Sequence, residues 1–155
     1  MPSNRFDIER IVRAPRDAVF ASFTDHAGWT EWARVGRVRV VTRGRTEPDG
    51  EGCVRSFDLI GLHEEVVELR RPEVMAYRIV RGVVPFTEHR ARITFEPHPE
   101  GTRIVWRTEF RSRLGVIGRA TERVMGFAFG RVLARFATHV ERAQRGGAGR
   151  AQQAR

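Results

Sequence analysis

Arg55 is the polar residue whose placement most suggests chemistry. It alternates with Cys53, Phe57 and Leu59 in a β-rich run, so the two-residue period of a strand places all four side chains on the face toward the apolar interior. A buried guanidinium requires a partner, because charges are costly to bury unless they are paired and hydrogen-bonded. Neighbouring β-rich runs carry further polar or aromatic residues at inward positions: Glu64, Tyr77, His89, Trp106 and Thr108.

This set of residues supports two interpretations. In one, Arg55 clamps a carboxylate, phenolate or enolate on an otherwise apolar ligand, while Tyr77 or His89 donates or accepts a proton. In the other, Arg55 has a structural role: it reaches solvent at the edge of the sheet or is neutralised by Glu64 inside. His89 alone is weak evidence of catalysis, since a single histidine at a strand start is more often a hydrogen-bonded rim residue. The candidate catalytic residues are thus Arg55, Tyr77 and His89.

Several kinds of chemistry are excluded or disfavoured by the composition. The chain has no lysine, which excludes a Walker A phosphate loop and a Schiff-base lysine. None of the four serines lies in a Gly-x-Ser-x-Gly elbow. The five histidines and the single cysteine lack the spacing of metal ligands, so we expect no metal site. The glycines do not form a dinucleotide fingerprint, and we expect no cofactor.

All 28 basic residues are arginines, and with 19 acidic residues they give the 155-residue chain a formal net charge of +9. Such a composition is typical of nucleic-acid binding or of a GC-rich genome. We favour the second explanation, because the arginines are spread along the predicted strands rather than clustered. Residues 143–155 combine three arginines with no acidic and no large apolar residue. They predict a disordered basic tail after a single domain at residues 1–142.

The candidate residues must be positioned by a chain that is mostly β-structure. An alternating pattern predicts a first strand over residues 6–13, and Pro15 begins two short helices that end near Ala33. From Val116 the period becomes helical and predicts one long amphipathic helix to Arg142. Between these helical segments the pattern predicts six further strands, at residues 38–46, 53–61, 62–70, 74–81, 89–96 and 102–110.

One predicted connection between strands is unusually apolar. The loop at residues 83–86 contains Val83, Val84 and Phe86. A solvent-facing loop is rarely this apolar, which predicts a gate, a membrane-touching patch, or a contact with a second copy or a protein partner. The alternative is that the loop folds back on the core.

Five segments, in this order, carry a resemblance to a known family: residues 11–25, Trp29-Thr-Glu-Trp32, residues 65–72, residues 77–82 and residues 101–106. Together with the terminal helix they resemble the START-like superfamily, in its polyketide cyclase/dehydrase and lipid-transport branch. The resemblance implies an α+β helix-grip fold, in which a seven-stranded antiparallel sheet wraps around a long C-terminal helix over an internal cavity. It brings no universal catalytic motif, and such folds serve many functions.

The resemblance also places the segment of Trp32 beside the cavity entrance, whereas Trp29 is expected to anchor the short helices. With the inward strand positions and the helical stripe, it defines the expected ligand-binding set: Trp32, Arg55, Phe57, Glu64, Tyr77, Phe86, His89, Trp106, Thr108, Met125 and Phe129.

We therefore expect a protein that binds a hydrophobic small molecule, lipid-like or polyketide-like, as a carrier or sensor. The alternatives are a cyclase, aromatase or dehydratase that uses the same cavity, and a protein-interaction module that acts through residues 83–86 or the basic tail. The N-terminus lacks a signal-peptide pattern, and no stretch approaches about 18 consecutive apolar residues, which predicts a cytoplasmic protein without a transmembrane segment. Nucleic acid is not an expected partner.

Overall fold

A computed structural model describes residues 3–84, 86–112 and 115–153 of the chain. Within these residues the chain forms one strand, two short helices, six further strands and one long helix. The strands are β1 (Ser3–Val12), β2 (Val38–Thr42), β3 (Val54–Phe57), β4 (Leu62–Arg70), β5 (Val74–Arg81), β6 (Phe86–His98) and β7 (Gly101–Ser112). The helices are α1 (Arg16–Thr24), α2 (Trp29–Trp32) and α3 (Gly115–Gln153).

The seven strands form one antiparallel sheet in the order β1-β7-β6-β5-β4-β3-β2. The helices α1 and α2 carry the chain from β1 at one edge to β2 at the other edge. The remaining strands then return as successive antiparallel neighbours until β7 pairs with β1. The architecture confirms the predicted α+β helix-grip fold, with seven antiparallel strands and a long C-terminal helix.

The alternating burial of the central strands shows which face meets the core. On β6, Ala91 and Ile93 are buried while the residues between and beside them are more exposed. Thr108 and Trp106 of β7 lie directly opposite these two residues, and Tyr77 of β5 lies opposite Ala91 on the other side. Three adjacent strands therefore direct their candidate side chains to the same face, as the period of two predicts.

The C-terminal half of α3 packs closely on that face. Leu133, Phe136 and Val140 of α3 are almost fully buried. Phe23 of α1 is at the centre of this packing, and its ring makes edge-to-face contacts at centroid distances of 5.1 to 5.5 Å with Trp29, Phe95, Trp106 and Phe136. Interlocked aromatic rings of this kind fill one end of the sheet-helix interface.

The N-terminal half of α3 is packed less closely. Val124 and Phe127 are 68% and 70% exposed, although the helical period predicts both on a buried stripe. The predicted stripe is wider than one sheet face can cover, so part of it remains in solvent. A Cβ added at Gly126 would lie 3.9 Å from the Phe6 ring, and one added at Gly130 would meet nothing within 4 Å. Neither glycine is therefore required by a close approach to the sheet.

The C-terminal segment differs from the sequence prediction of a disordered tail. The helix α3 continues past Arg142 to Gln153, although its residues there are exposed. Gly146, Gly147 and Gly149 disfavour helix here, but alanine, glutamine and arginine favour it, and extending an existing helix needs no new nucleus. Among the described residues, no helix has a stretch that is both long and apolar enough to cross a bilayer.

Leu59 is exposed, although the sequence predicts it on the inward face with Arg55. The strand β3 ends at Phe57, and residues 58–61 form a turn. The two-residue period holds only while the chain remains extended, so the prediction is wrong at Leu59, two residues after the strand ends.

The apolar loop is also smaller than predicted. Phe86 is the first residue of β6 rather than a loop residue, and its buried ring packs 5.0 Å from that of Phe110. Val83 is fully exposed and Val84 is half-buried, while Pro85 lies outside the described residues. A partner contact through this loop would therefore depend on Val83 rather than on an exposed Phe86.

Candidate functional site

A buried ion pair lies on the face of the sheet that is turned toward α3. Arg55 of β3 and Glu64 of β4 are cross-strand partners, and both side chains are almost fully buried. The Nε and Nη2 groups of Arg55 donate to Oε2 of Glu64 at 2.9 and 2.7 Å. Burial raises the pKa of Glu64, and the Arg55 guanidinium opposes that shift. The charge of Arg55 is thus neutralised inside the protein, as the structural interpretation of this residue expected.

His26 completes this network, and the sequence analysis did not select it. Its Nε2 donates to the carbonyl oxygen of Asp49 at 3.0 Å, and its Nδ1 accepts from Nη1 of Arg55 at 3.2 Å. The carbonyl can only accept, so the proton must be on Nε2. Burial and the Arg55 charge lower the pKa of His26 to about 3, which keeps the ring neutral at pH 7. No sequence pattern marks His26, because it lies in a turn after α1.

An apolar pocket of about 120 Å³ lies beside the ion pair, between the sheet and α3. Aromatic rings surround the Arg55 guanidinium, whose central carbon is 4.4 Å from the Trp29 ring and 5.1 Å from the rings of Phe57 and Tyr77. Cation–π contacts of this kind stabilise a desolvated guanidinium further. The residues that line the pocket are Trp29, Val35, Arg55, Phe57, Ile60, Leu62, Glu64, Tyr77, Trp106, Phe129 and Val132.

On the sheet face that bounds this pocket, three buried side chains hold polar atoms that have no hydrogen-bond partner among the described residues, and one of the three, Trp106, lines the pocket itself. They are both ring nitrogens of His89, Nε1 of Trp106 and Oγ1 of Thr108. All three residues belong to the adjacent strands β6 and β7. A further unpartnered atom, Oδ1 of Asn4, lies on the edge strand β1. Buried polar atoms in folded proteins are nearly always satisfied, so this group requires an explanation.

The protonation states on this face follow from burial. Burial lowers the pKa of His89 to about 4, so the imidazole is neutral at pH 7. Burial and the Glu64 charge raise the pKa of Tyr77, so its hydroxyl keeps its proton. The rings of Tyr77 and His89 lie 5.8 Å apart. The Trp106 indole N–H is near enough to the Tyr77 hydroxyl to oppose the rise in the pKa of Tyr77. The two groups do not, however, meet the distance and angle of a hydrogen bond, so Nε1 of Trp106 has no partner among the described residues.

The structure brings most of the predicted ligand-binding residues together. Those that line the pocket are Arg55, Phe57, Glu64, Tyr77, Trp106 and Phe129. Thr108 and His89 are buried on the same sheet face, and His89 also borders, with Phe86, a separate opening of about 250 Å³ beside the β5–β6 connection. Trp32 and Met125 lie outside the pocket lining. On α2, Trp29 rather than Trp32 faces this space, and on α3 the lining begins at Phe129, one turn after Met125.

Two lining residues show what the sequence analysis overlooked. Trp29 is an anchor, as expected, since its indole N–H donates to the carbonyl of Phe23 at 2.8 Å; the same ring also forms a wall of the pocket. Val132 follows Phe129 by three positions on α3, and the helical period would have identified it from its neighbour. Ile60, by contrast, reaches the pocket from a turn and has no periodic signal.

In the part of the chain that the structure describes, one group of three side chains has atoms close enough to hold a metal ion: His26, Asp49 and Cys53, within 4.8 Å of one another. A cation there would have to displace Arg55 from Nδ1 of His26 or the Asp49 carbonyl from Nε2. Burial also raises the pKa of the Cys53 thiol to about 11, which disfavours the thiolate that metals require. Proximity alone therefore does not argue for a metal site.

Comparison with solved structures shows what the fold is similar to. The aromatase/cyclase Zhui from Streptomyces sp. R1128 superimposes with a TM-score of 0.74 and 16% identity, covering 91% of this chain and 95% of that one. A protein from Thermobifida fusca gives a TM-score of 0.73 at 24% identity, over 92% and 95% of the two chains. The protein Ara h 8.0201 gives 0.67 at 14% identity, over 90% and 98%. At these identities the likeness concerns the fold alone.

Sequence comparison gives the family. No curated protein matches the sequence significantly. Residues 4–144, however, match the family described as polyketide cyclase / dehydrase and lipid transport. The match extends from β1 into the last third of α3 and includes every residue of the buried network and of the pocket lining. The chain therefore belongs to the polyketide cyclase / dehydrase and lipid transport family.

Proposed function

We propose that this protein binds a largely apolar, uncharged small molecule between the sheet and α3, as a carrier or sensor. The observation that carries the proposal is the set of unpartnered polar atoms on His89, Trp106 and Thr108, on the sheet face that bounds an apolar pocket, with Trp106 in the pocket lining. A buried polar atom without a partner costs about 1–3 kcal/mol. A ligand oxygen in this space would remove part of that cost, which favours the bound state.

The donors and acceptors of the site define the ligand's polar groups. Nε1 of Trp106 can only donate, whereas the Thr108 hydroxyl and the His89 ring can donate or accept. The ligand therefore needs at least one acceptor, such as a carbonyl or hydroxyl oxygen. Arg55 is neutralised by Glu64, and His89 is uncharged at pH 7. The site thus has no free positive charge for a carboxylate, which favours phenols and ketones of the polyketide type over fatty acids.

The size of the pocket implies that α3 moves when a larger ligand binds. Pockets for drug-sized ligands have volumes of about 300–1,000 Å³, whereas this pocket has about 120 Å³. A space of this size accommodates a group about as large as a benzene ring. Phe129 and Val132 close the pocket from the side of α3, near Gly126 and Gly130. The loose packing of this half of the helix supports its displacement by a ligand.

The proposal is tested by binding measurements on a variant that loses one polar atom and keeps its shape. Trp29 and Trp106 line the pocket, so quenching of tryptophan fluorescence reports binding. We would titrate neutral flavonoids and anthraquinones, with fatty acids as the charged comparison. Thr108→Val should weaken binding of the neutral compounds by about tenfold, the value of one hydrogen bond. Thr94→Val, an outward-facing position on β6, is the matched control and should change nothing.

Two results would overturn the proposal. One is a failure of the whole panel to bind. The other is equal affinity of the Thr108→Val and Thr94→Val variants for the compounds that do bind. A preference for fatty acids over neutral compounds would contradict the argument from charge neutralisation.

A cyclase or dehydratase reaction is a second candidate, favoured by the pairing of Tyr77 with His89. The neutral His89 ring can accept a proton from a carbon next to a carbonyl, and the protonated Tyr77 hydroxyl can donate a hydrogen bond to the resulting enolate oxygen. Turnover of a poly-β-ketone analogue would test this role. Tyr77→Phe should then abolish turnover while tryptophan quenching still shows binding, and retained turnover would reject the reaction.

A further inference from the structure

A groove of about 560 Å³ lies on the outside of the molecule, between α2 and the C-terminal half of α3. Four arginines line it: Arg34 after α2, and Arg131, Arg135 and Arg142 on one stripe of α3. Arg131 and Arg142 are eleven positions apart, so the stripe extends over about 16 Å of helix. The groove is separate from the inner pocket, so a ligand bound in the groove would not require the inner pocket to be filled.

The arginines of the groove differ from those of the sheet in how they are paired. Most arginines on the strands are in ion pairs, such as Arg78 with Glu65 at 2.8 Å and Arg103 with Glu9 at 2.6 Å. Among the residues that the structure describes, none of the four groove arginines has a carboxylate within 4.0 Å. Glu31, the one acidic residue in the groove, pairs with none of them. Four guanidinium groups against one carboxylate leave the groove with an excess of positive charge.

The backbone at Arg34 supplies a second, independent observation. Arg34 follows Ala33, the C-terminal cap of α2, and has a φ of 57°, in the left-handed region. Glycine is the residue that usually occupies this position after a helix, because any side chain there is strained. The conformation is held from α3, where Nη1 of Arg135 donates to the carbonyl of Ala33 at 3.1 Å. An arginine at a glycine-like position, beside three other arginines that have no carboxylate partner among the described residues, points to a use for its side chain.

We propose that this groove binds a small molecule carrying a phosphate or diphosphate group. Guanidinium groups bind phosphate through paired, charge-assisted hydrogen bonds. Several guanidinium groups around one groove match a multiply charged anion better than a single carboxylate. The volume lies in the range of small-molecule sites, about 300–1,000 Å³. The hydroxyl of Thr138 and the ring of His139 add polar contacts for the rest of the ligand.

Calorimetric titration with inorganic pyrophosphate at low salt tests the proposal on the full chain. Arg131→Glu should weaken binding by at least about tenfold, as expected for loss of one charge-assisted contact and addition of a repulsive charge. Arg131 is exposed and its only described ring contact is with Phe127, so the variant should fold. Arg90→Glu is the matched control, because Arg90 is exposed, unpaired among the described residues, and on the outer sheet face. It makes the same change in net charge and should leave binding within about twofold.

Arg34→Gly gives a readout that a merely structural role would not produce. Relief of the left-handed strain should raise Tm by about 2 °C, while loss of the guanidinium should weaken pyrophosphate binding by about tenfold. A variant that is more stable and binds less well would show that the arginine is retained for the anion.

A second arm distinguishes a free phosphate compound from a lipid headgroup. Vesicles of phosphatidylcholine with added phosphatidic acid are tested with the same three variants. Binding to vesicles alone, lost in Arg131→Glu and kept in Arg90→Glu, would assign the phosphate to a lipid. Absence of binding in both arms, or equal losses in Arg131→Glu and Arg90→Glu, would overturn the proposal.

Discussion

Replacement of Glu64 by glutamine should strongly destabilise the protein, because it leaves the buried Arg55 charge without its counter-charge. The side chains are only 1% and 6% exposed for Arg55 and Glu64, respectively. Removal of one partner of such a buried pair costs about 3–5 kcal/mol. His26 still accepts one hydrogen bond, and the Trp29 ring still faces the guanidinium. We therefore expect a loss at the lower end of this range, about 3 kcal/mol of unfolding free energy. The total unfolding free energy of a folded domain is about 5–15 kcal/mol.

Urea unfolding followed by circular dichroism measures this loss, which corresponds to a fall in Tm of about 6–12 °C. Glu65→Gln is the matched control. Glu65 is the next residue of β4, and its partner Arg78, at 2.8 Å, is half-exposed, so the same chemical change should cost less than about 1 kcal/mol. A double variant, Arg55→Met with Glu64→Leu, should be more stable than Glu64→Gln, because it removes both charges.

Equal losses in Glu64→Gln and Glu65→Gln would refute this reasoning. Such a result would mean that Glu64 is not the main group that neutralises the Arg55 charge. The argument that the inner pocket favours uncharged ligands would fail with it, because Arg55 would be free to attract an anion.

Three further measurements test other parts of the structure. His89 has its pKa lowered to about 4, so its contribution to stability is complete above its usual pKa of 6.5 and is lost as the pH falls toward 4. Between pH 7 and pH 5 the His89→Phe variant should therefore lose about 2 kcal/mol less unfolding free energy than the unmodified protein. An equal loss in the two proteins would contradict the lowered pKa. Gly130→Ala should raise stability by about 1 kcal/mol, since the added Cβ meets nothing within 4 Å, and a lower Tm would reveal a packing constraint that the structure does not contain. Cys53 is buried and its pKa is raised to about 11, so a thiol reagent should label it only in denaturant, and rapid labelling of the folded protein would be inconsistent with this burial.

The sheet was predictable from the sequence because its burial is one-sided. Along β6 and β7, alternate residues face the core, so the period of two identifies Thr108 and Trp106 as inward without any knowledge of their partners. The same reasoning found Arg55 and named Glu64 as the residue that would neutralise it. Strands that are consecutive in the sequence pair with each other here, so the alternating pattern of each strand was enough to predict that Arg55 and Glu64 would meet.

The errors occurred where the chain leaves regular structure. Leu59 lies just beyond the end of β3, and Phe86 begins β6 rather than ending a loop. A periodic pattern does not mark the residue at which a strand begins or ends, so both side chains were assigned to the wrong environment. The length of α3 was underestimated for a related reason, since the exposed residues after Arg142 carry no apolar stripe that would mark the helix in the sequence.

Long-range contacts account for the remaining gaps. His26 reaches Arg55 from a turn 29 positions away, and no periodicity relates the two residues. The groove at Arg131 forms only when α2 packs beside α3, so its four arginines do not form a cluster in the sequence. Similarly, the sequence shows polar residues on a sheet face but not which of their atoms lack partners, and that information carries the proposed function.

Native mass spectrometry of the protein purified without detergent, followed by solvent extraction, tests the central claim most directly. The proposed function predicts either a bound, neutral, largely apolar compound in equal stoichiometry, or a free chain that takes up one such compound from the flavonoid and anthraquinone panel. Release of that compound should be easier from Thr108→Val than from Thr94→Val. A chain that is free of ligand and also takes up nothing from the panel would contradict the account.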